Sequence, residues 1–259
     1  MTFVDTHSHL YDEAFDSDRI DAIQRALDAD VKLMLLPDID SDARPRLEYL
    51  YASHPDIFRQ MIGLHPSSVK EDFEKELGLV YDKLFQEARH NTYIAVGEIG
   101  MDLYWDKTFE EQQKIALERQ IGWAIESSLP VCLHVRKAYN EVFGILKKIG
   151  LPQYSGVMHC FGGSVQEAHR AIEAGFMLGI GGVVTFKNAT MADVVAAVPL
   201  ESIVLETDAP YLSPVPYRGK RNESAYIPII AQKVADIKGI SIEQVAEQTT
   251  ENARRLFNL

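Results

Sequence analysis

The chain has 259 residues, 46% of them apolar, and its 26 basic and 38 acidic side chains leave a formal net charge of −12. That balance excludes a coat protein gripping duplex nucleic acid through a broad basic face, although bound cations can still supply positive charge locally. No apolar run approaches the roughly 18 residues of a bilayer-spanning helix, and MTFVDTHSHL lacks the basic and apolar regions of a secretory leader, so a cytoplasmic protein without membrane contact is expected.

Taken in order, short apolar runs recur along the chain. They are FVDTH from Phe3, VKLMLLP from Val31, FRQMIGL from Phe58, YIAVGEI from Tyr93, PVCLHV from Pro130, GVMHCF from Gly156, FMLGIGG from Phe176 and SIVLETD from Ser202. Several are continuous rather than alternating, as strands of a covered parallel sheet are. Helical patterns lie between them. DRIDAIQRALDAD places Ile20, Ile23 and Leu27 on one face behind a Ser17/Asp18 cap. EEQQKIALERQIGWAIESS has an acidic first turn and a stripe of Leu117, Ile121 and Ile125. SVQEAHRAIEAG opens on Ser164 with an acid three residues on and stops at Gly175.

Eight strands alternating with helices predict an α/β fold, a TIM (β/α)8 barrel. One domain over residues 1–259 is expected, closed by helical stretches from about Ala225 and from Ser241, the latter an extra C-terminal helix. An open doubly wound sheet would want a glycine-rich loop after its first strand, and DTHSHL offers none. Cys132 and Cys160 form no C-x-x-C pair and read as small buried side chains.

Barrel enzymes carry their chemistry at the C-terminal ends of the strands. Those ends here supply His7 and His9, His65, Glu98, His134, His159, and Glu206 with Asp208. His54, His90 and His169 fall in helices or connections and read as surface residues. Residues i and i+2 of a strand share a face, so His7 and His9 both point toward the mouth. A shared cation relieves the cost of burying such groups. His7, His9, Glu98, His134, His159 and Asp208 are therefore the expected metal ligands. Six exceed what one catalytic ion needs and suit two ions about 3.5–4 Å apart. Glu98 is the expected bridge, with His7, His9 and Asp208 on one ion and His134 and His159 on the other. His65 could position substrate, ligate an extra ion or pack beside Pro66, and Glu206 is expected to orient a ligating histidine. Asp208, Glu98 and His65 are the expected catalytic groups, with Asp208 also accepting a proton from the attacking water.

Serine chemistry lacks its G-x-S-x-G elbow, and nicotinamide chemistry lacks its phosphate loop. Metal-assisted hydrolysis fits the residues best. For substrate, Arg218, Lys220 and Arg221 stand within four residues of one another after strand eight, and Arg136 follows two residues after His134. Arg and Lys match phosphate oxygens, so these four favour a phosphodiester.

The blocks DTHSHL, GLHP, GEIGMD, LHVRKA, MHCFGGS and ETDAPYLSPVPYRGKRNES together resemble the TatD family of metal-dependent deoxyribonucleases, within the amidohydrolase-like barrel superfamily, from the first strand to the last. The resemblance implies hydrolysis of DNA phosphodiesters, in some members by 3′-5′ exonuclease action, with DNA as partner and a monomer or weak oligomer. It implies two divalent ions, Mg²⁺ or Mn²⁺ in function, with Zn²⁺ or Ni²⁺ suited to the same histidines after purification. It carries the same six ligands over, puts His65 near the scissile phosphate, and places Asp102 near the site without a role. Around Arg136, which matches the family's usual Arg, Val135 stands where a small polar residue is usual and Lys137 where an acid is, and Ser224 replaces a usual Pro. None of these is a ligand. The competing reading keeps the metals but cleaves an amide, lactone or aminoacyl ester. Many such barrels bridge their metals with a modified lysine on strand four, where this chain has Glu98.

Overall fold

The computed structural model describes residues 1–87, 92–150, 156–187 and 190–259; His90 lies outside them. The eight expected strands form one parallel sheet in sequential order: β1 Phe3–Asp5, β2 Val31–Leu36, β3 Phe58–Ile62, β4 Tyr93–Asp102, β5 Val131–Arg136, β6 Gly156–Met158, β7 Phe176–Ile180 and β8 Ile203–Leu205. The ring closes just beyond β1 and β8. The Thr6 amide donates to the Leu205 carbonyl at 3.0 Å, and Ser8 bridges to Ala209. Farther along the same seam the Asp208 amide donates to the His7 carbonyl at 2.9 Å. Closing the barrel and bringing Asp208 beside His7 are thus one act of pairing.

The outer ring is α1 Arg19–Asp28, α2 Arg44–Ser53, α3 Phe73–Asp82, α4 Glu110–Ser127, α5 Tyr139–Ile149, α6 Val165–Glu173, α7 Met191–Ala197 and α8 Ile227–Lys238, followed by α9 Ile242–Phe257. The Ser164–Glu167 capping box starts α6, and Gly175, at φ +87°, follows its end. A second capping box, Ser241 with Gln244, starts α9. No helix among the described residues is long and apolar enough to cross a membrane.

The helix faces differ from expectation in two places. Ile20 is 66% exposed and Ile125 48% exposed, whereas Ala22, Ile23 and Ala26 bury α1, and Ala116, Leu117, Ile121 and Ala124 bury α4. Small alanines let these helices sit close on the strands and rotate the larger residues outward. Asp18 sits at the N-cap of α1 but gives no side-chain cap; its carboxylate is taken by Arg25 and Arg221.

One side chain from each strand fills the barrel interior: Val4, Leu35, Met61, Ala95, Cys132, Val157, Met177 and Val204. The layer packs against Ala253, Leu256 and Phe257 of α9. Asn252 fixes that helix by donating to the carbonyls of Leu200 and Ile203, each at 2.8 Å. The C-terminal helix therefore plugs the end of the barrel opposite the mouth. Phe257 is 2% exposed, so Phe257→Ala leaves a cavity under the whole strand layer. Its expected cost is about 3–5 kcal/mol, read by chemical denaturation.

Candidate metal centre

β4 is the longest strand and the one that carries Glu98 to the middle of the mouth. It lies unusually close to its neighbour. A Cβ on Gly97 would sit 2.5 Å from Cys132 Cβ, and one on Gly100, at φ +147°, would sit 1.9 Å from the His134 carbonyl oxygen. Only glycine permits this approach, and it brings the β4 carboxylate against the β5 imidazole. The His134 Nδ1 to Glu98 Oε1 distance is 2.9 Å.

The two oxygens of Glu98, which is 2% exposed, face different partners. Oε2 lies 3.1 Å from His7 Nε2 and 3.7 Å from His9 Nε2. Oε1 lies 2.7 Å from His159 Nε2, 2.9 Å from His134 Nδ1 and 3.1 Å from His65 Nε2. Asp208 joins the first group, its Oδ1 3.5 Å from His9 Nε2 and 3.7 Å from His7 Nε2. All six expected ligands thus converge, and they divide into two sets around one carboxylate. Asp208 holds its place with a left-handed backbone, φ +58°; such conformations in non-glycine residues cluster at functional sites.

The donor chemistry fits cations. His7 Nε2 and His9 Nε2 approach to 3.2 Å. The Tyr11 hydroxyl donates to the Pro37 carbonyl at 2.6 Å, so it accepts from His9 Nδ1 at 2.9 Å. That bond puts the His9 proton on Nδ1 and leaves the Nε2 lone pair facing the cluster, as a ligand requires. His159 Nδ1 and Glu206 Oε2 are buried without a hydrogen-bond partner, and Glu206 Oε1 lies 3.8 Å from His159 Nδ1. His7, His9 and Glu98 could hold one ion, as could His65, Glu98 and His134; His7, His159 and Glu206 form a further group.

His65 differs from the others. The Ser67 amide donates to its Nδ1 at 3.1 Å, so the proton sits on Nε2 and points at Glu98. In this tautomer His65 Nε2 donates to Glu98 Oε1 at 3.1 Å; to join Glu98 and His134 on an ion it would first give up that proton.

Charge within the cluster is set by its own members. Burial works to raise the Glu98 carboxyl, but His159, His65 and His7 outweigh it and hold it well below the usual range. Burial, reinforced by His159, pulls His7 down to about 4. Burial also works against charge on His134, yet Asp102 and Glu98 overcome it and lift the imidazole to about 9. Burial, with Asp208 nearby, pushes Glu206 well above its ordinary value.

Asp102 gains a role from these contacts. Its Oδ2 lies 3.2 Å from His134 Nε2, and its Oδ1 accepts the Tyr104 amide at 2.9 Å. A carboxylate behind a ligating imidazole fixes ring orientation. Asp102→Asn is expected to weaken divalent-metal affinity about 10–100-fold, read by metal titration, while leaving the fold intact.

His9, Glu98, His134, His159 and Asp208 floor a cavity of about 1070 Å³ at the barrel mouth, which Arg136 and Lys137 also line; His7 is fully buried beside them. Arg218, Lys220 and Arg221 do not line it. Arg221 pairs with Asp18 at 2.6 and 2.8 Å, Arg218 stacks 4.5 Å from the Phe186 ring, and Lys220 is exposed on the same loop. Cys160 is half-buried and opens onto the cavity, whereas Cys132 is buried. His54 is half-buried beside Phe58 and His169 is exposed, both away from the mouth. Tyr104 and Trp105, for which the sequence reading had no role, stand on the cavity rim.

Residues 4–258 match the family described as TatD related DNase. The chain is 37% identical to the uncharacterized metal-dependent hydrolase YabD of Bacillus subtilis, over 98% of each protein. It is 33% identical to the 3′-5′ ssDNA/RNA exonuclease TatD of Pantoea ananatis, over 97% of each. In structure it is similar to YjjV, a TatD homologue of Escherichia coli, with a TM-score of 0.92 at 31% identity, covering 99% of this chain and 98% of that one.

Proposed function

The chain belongs to the TatD related DNase family and is a metal-dependent hydrolase; from that premise we propose that it is a deoxyribonuclease that cleaves DNA phosphodiester bonds with two divalent cations. The observation that carries this reading is the division of Glu98 between two imidazole sets, His7 with His9 on Oε2 and His134 with His159 on Oε1. A carboxylate so placed would offer one oxygen to each of two ions. Mg²⁺ or Mn²⁺ would serve in function, and Zn²⁺ or Ni²⁺ would bind the same nitrogens.

Bound there, the cations would supply the charge that acidifies a water and draws electron density from a phosphoryl centre. The side chains do the rest. His7, His9 and Asp208 would hold one ion, and His134 and His159 the other. Burial works to raise Asp208, but His9 and His159 outweigh it and keep it ionised, so it can receive the proton of the attacking water. His65 presents its Nε2 proton at the mouth, where it would donate to a phosphate oxygen. Arg136, with no carboxylate within ion-pairing distance among the described residues, would take another phosphate oxygen. Arg218 and Lys220, exposed beyond the rim, would draw more distant phosphates; Arg221 is already held by Asp18.

The exonuclease name of the Pantoea ananatis relative supports a single strand cut from its 3′ end. Incubating the protein with end-labelled single-stranded DNA and Mg²⁺ or Mn²⁺ is expected to release nucleotides from the 3′ side, with loss of activity on chelation. Turnover of amide, lactone or aminoacyl ester substrates in the absence of DNA cleavage would contradict the proposal.

A further inference from the structure

Large apolar side chains usually turn inward, so an exposed aromatic pair beside a catalytic cavity invites a question about what covers it. Tyr104 is 50% and Trp105 76% exposed, and both line the cavity floored by Glu98 and Asp208. The two rings meet edge to face with centroids 4.7 Å apart. The Arg136 guanidinium lies 4.0 Å from the Tyr104 centroid and 5.2 Å from that of Trp105. One face of Tyr104 is thereby occupied by a cation and its edge region by Trp105, while Trp105 keeps most of its surface open.

The pair is held rigidly. Asp102, whose other oxygen meets His134, accepts the Tyr104 amide, and the Leu103 amide donates to the Arg136 carbonyl at 2.9 Å. On the far side, Asp106 Oδ1 accepts both the amide and the hydroxyl of Thr108, at 2.8 and 2.6 Å. The segment that carries Trp105 is therefore tied on both sides, and on one side through the same carboxylate that meets the His134 imidazole.

We infer that Trp105, buttressed by Tyr104 and Arg136, is a stacking platform for a nucleobase next to the bond being cut. This rests on the nuclease reading above and names the substrate feature that the cavity grips. Every base has a π-face, so stacking gives affinity without sequence choice. A guanidinium leaning on the rings places a phosphate-matching charge beside the base, the pairing that single-stranded nucleic acid presents repeatedly. A chain of net charge −12 has little broad attraction for a polyanion, so a local aromatic contact would matter more here than on a basic protein.

The two tryptophans are Trp105 and Trp123; the metal-loaded Trp123→Phe protein leaves Trp105 as the sole tryptophan reporter. It would be titrated with a short fluorescein-labelled phosphorothioate oligothymidylate and with the same labelled backbone made abasic, affinity being read by fluorescence anisotropy in every variant and base contact by quenching of Trp105. The expected results are strong quenching by the base-bearing strand alone, affinity on the order of tenfold weaker without bases, and loss of that difference in Trp105→Leu. Equal binding of the two strands, or an unchanged difference in Trp105→Leu, overturns the platform. Cleavage of an ordinary phosphodiester strand is followed in parallel. Base-dependent quenching without cleavage supports the platform and counts against the nuclease; cleavage without base dependence does the reverse.

Discussion

Replacing Glu98 with glutamine is expected to lower kcat at least a thousandfold, about 4 kcal/mol of transition-state stabilisation, and to cut the bound metal from two ions per chain to one. The reason is the split of its carboxylate. One oxygen serves His7 and His9, the other His65, His134 and His159. An amide of the same shape keeps one oxygen and turns an N–H donor toward the other set, so it cannot serve as an anionic ligand to both. Glutamine also leaves the neighbouring imidazoles without the charge that opposes their burial, since Glu98 works to raise both His7 and His134. Metal content and turnover of single-stranded DNA, measured on the same preparation, test the claim; full activity with two ions bound would contradict it.

Removing the metal is the second large effect. Stripping the protein with a chelator is expected to abolish hydrolysis and to lower Tm by about 10 °C. A ligand present at a thousandfold over its Kd stabilises the native state by about 4 kcal/mol, and each kcal/mol moves a chain of this size by roughly 2–4 °C. The stabilisation would have a local origin, because ions held at this site would separate buried nitrogens that otherwise face one another at 3.2 Å, as those of His7 and His9 do. Mg²⁺ or Mn²⁺ is expected to restore both activity and Tm. Calorimetry with and without added ion reads the shift; an unchanged Tm would mean that the ions do not sit in this cluster.

The barrel was legible because its signal is long-range and repeated. Each of the eight apolar runs became a strand, since a parallel sheet buried on both faces needs continuous Val, Ile and Leu rather than alternation. The convergence of the candidate ligands was legible for a related reason: strand ends in such a fold meet at one rim, which brings residues as distant as His7 and Asp208 to 3.7 Å. Helix faces were less legible. Ile20 and Ile125 fit a helical stripe, but alanines pack closer to the strands and took the inner face. Charge without partners misled more. Arg218, Lys220 and Arg221 read as a cluster, whereas Asp18 captures Arg221, a pairing about 200 residues apart in sequence. Asp18 was read as a helix cap and was drawn away by the same bond. Tyr104 and Trp105 passed unnoticed because a sequence does not say which aromatic residues stay outside; their position directly after the strand bearing Glu98 was the available signal.

On the proposed reading, one buried carboxylate, Glu98, separates two cation positions at the barrel mouth. Anomalous diffraction from crystals grown with Mn²⁺ tests it most directly. Two peaks are expected on opposite sides of Glu98, one against His7, His9 and Asp208 and the other against His134 and His159. A lone peak, or density away from these side chains, would contradict it.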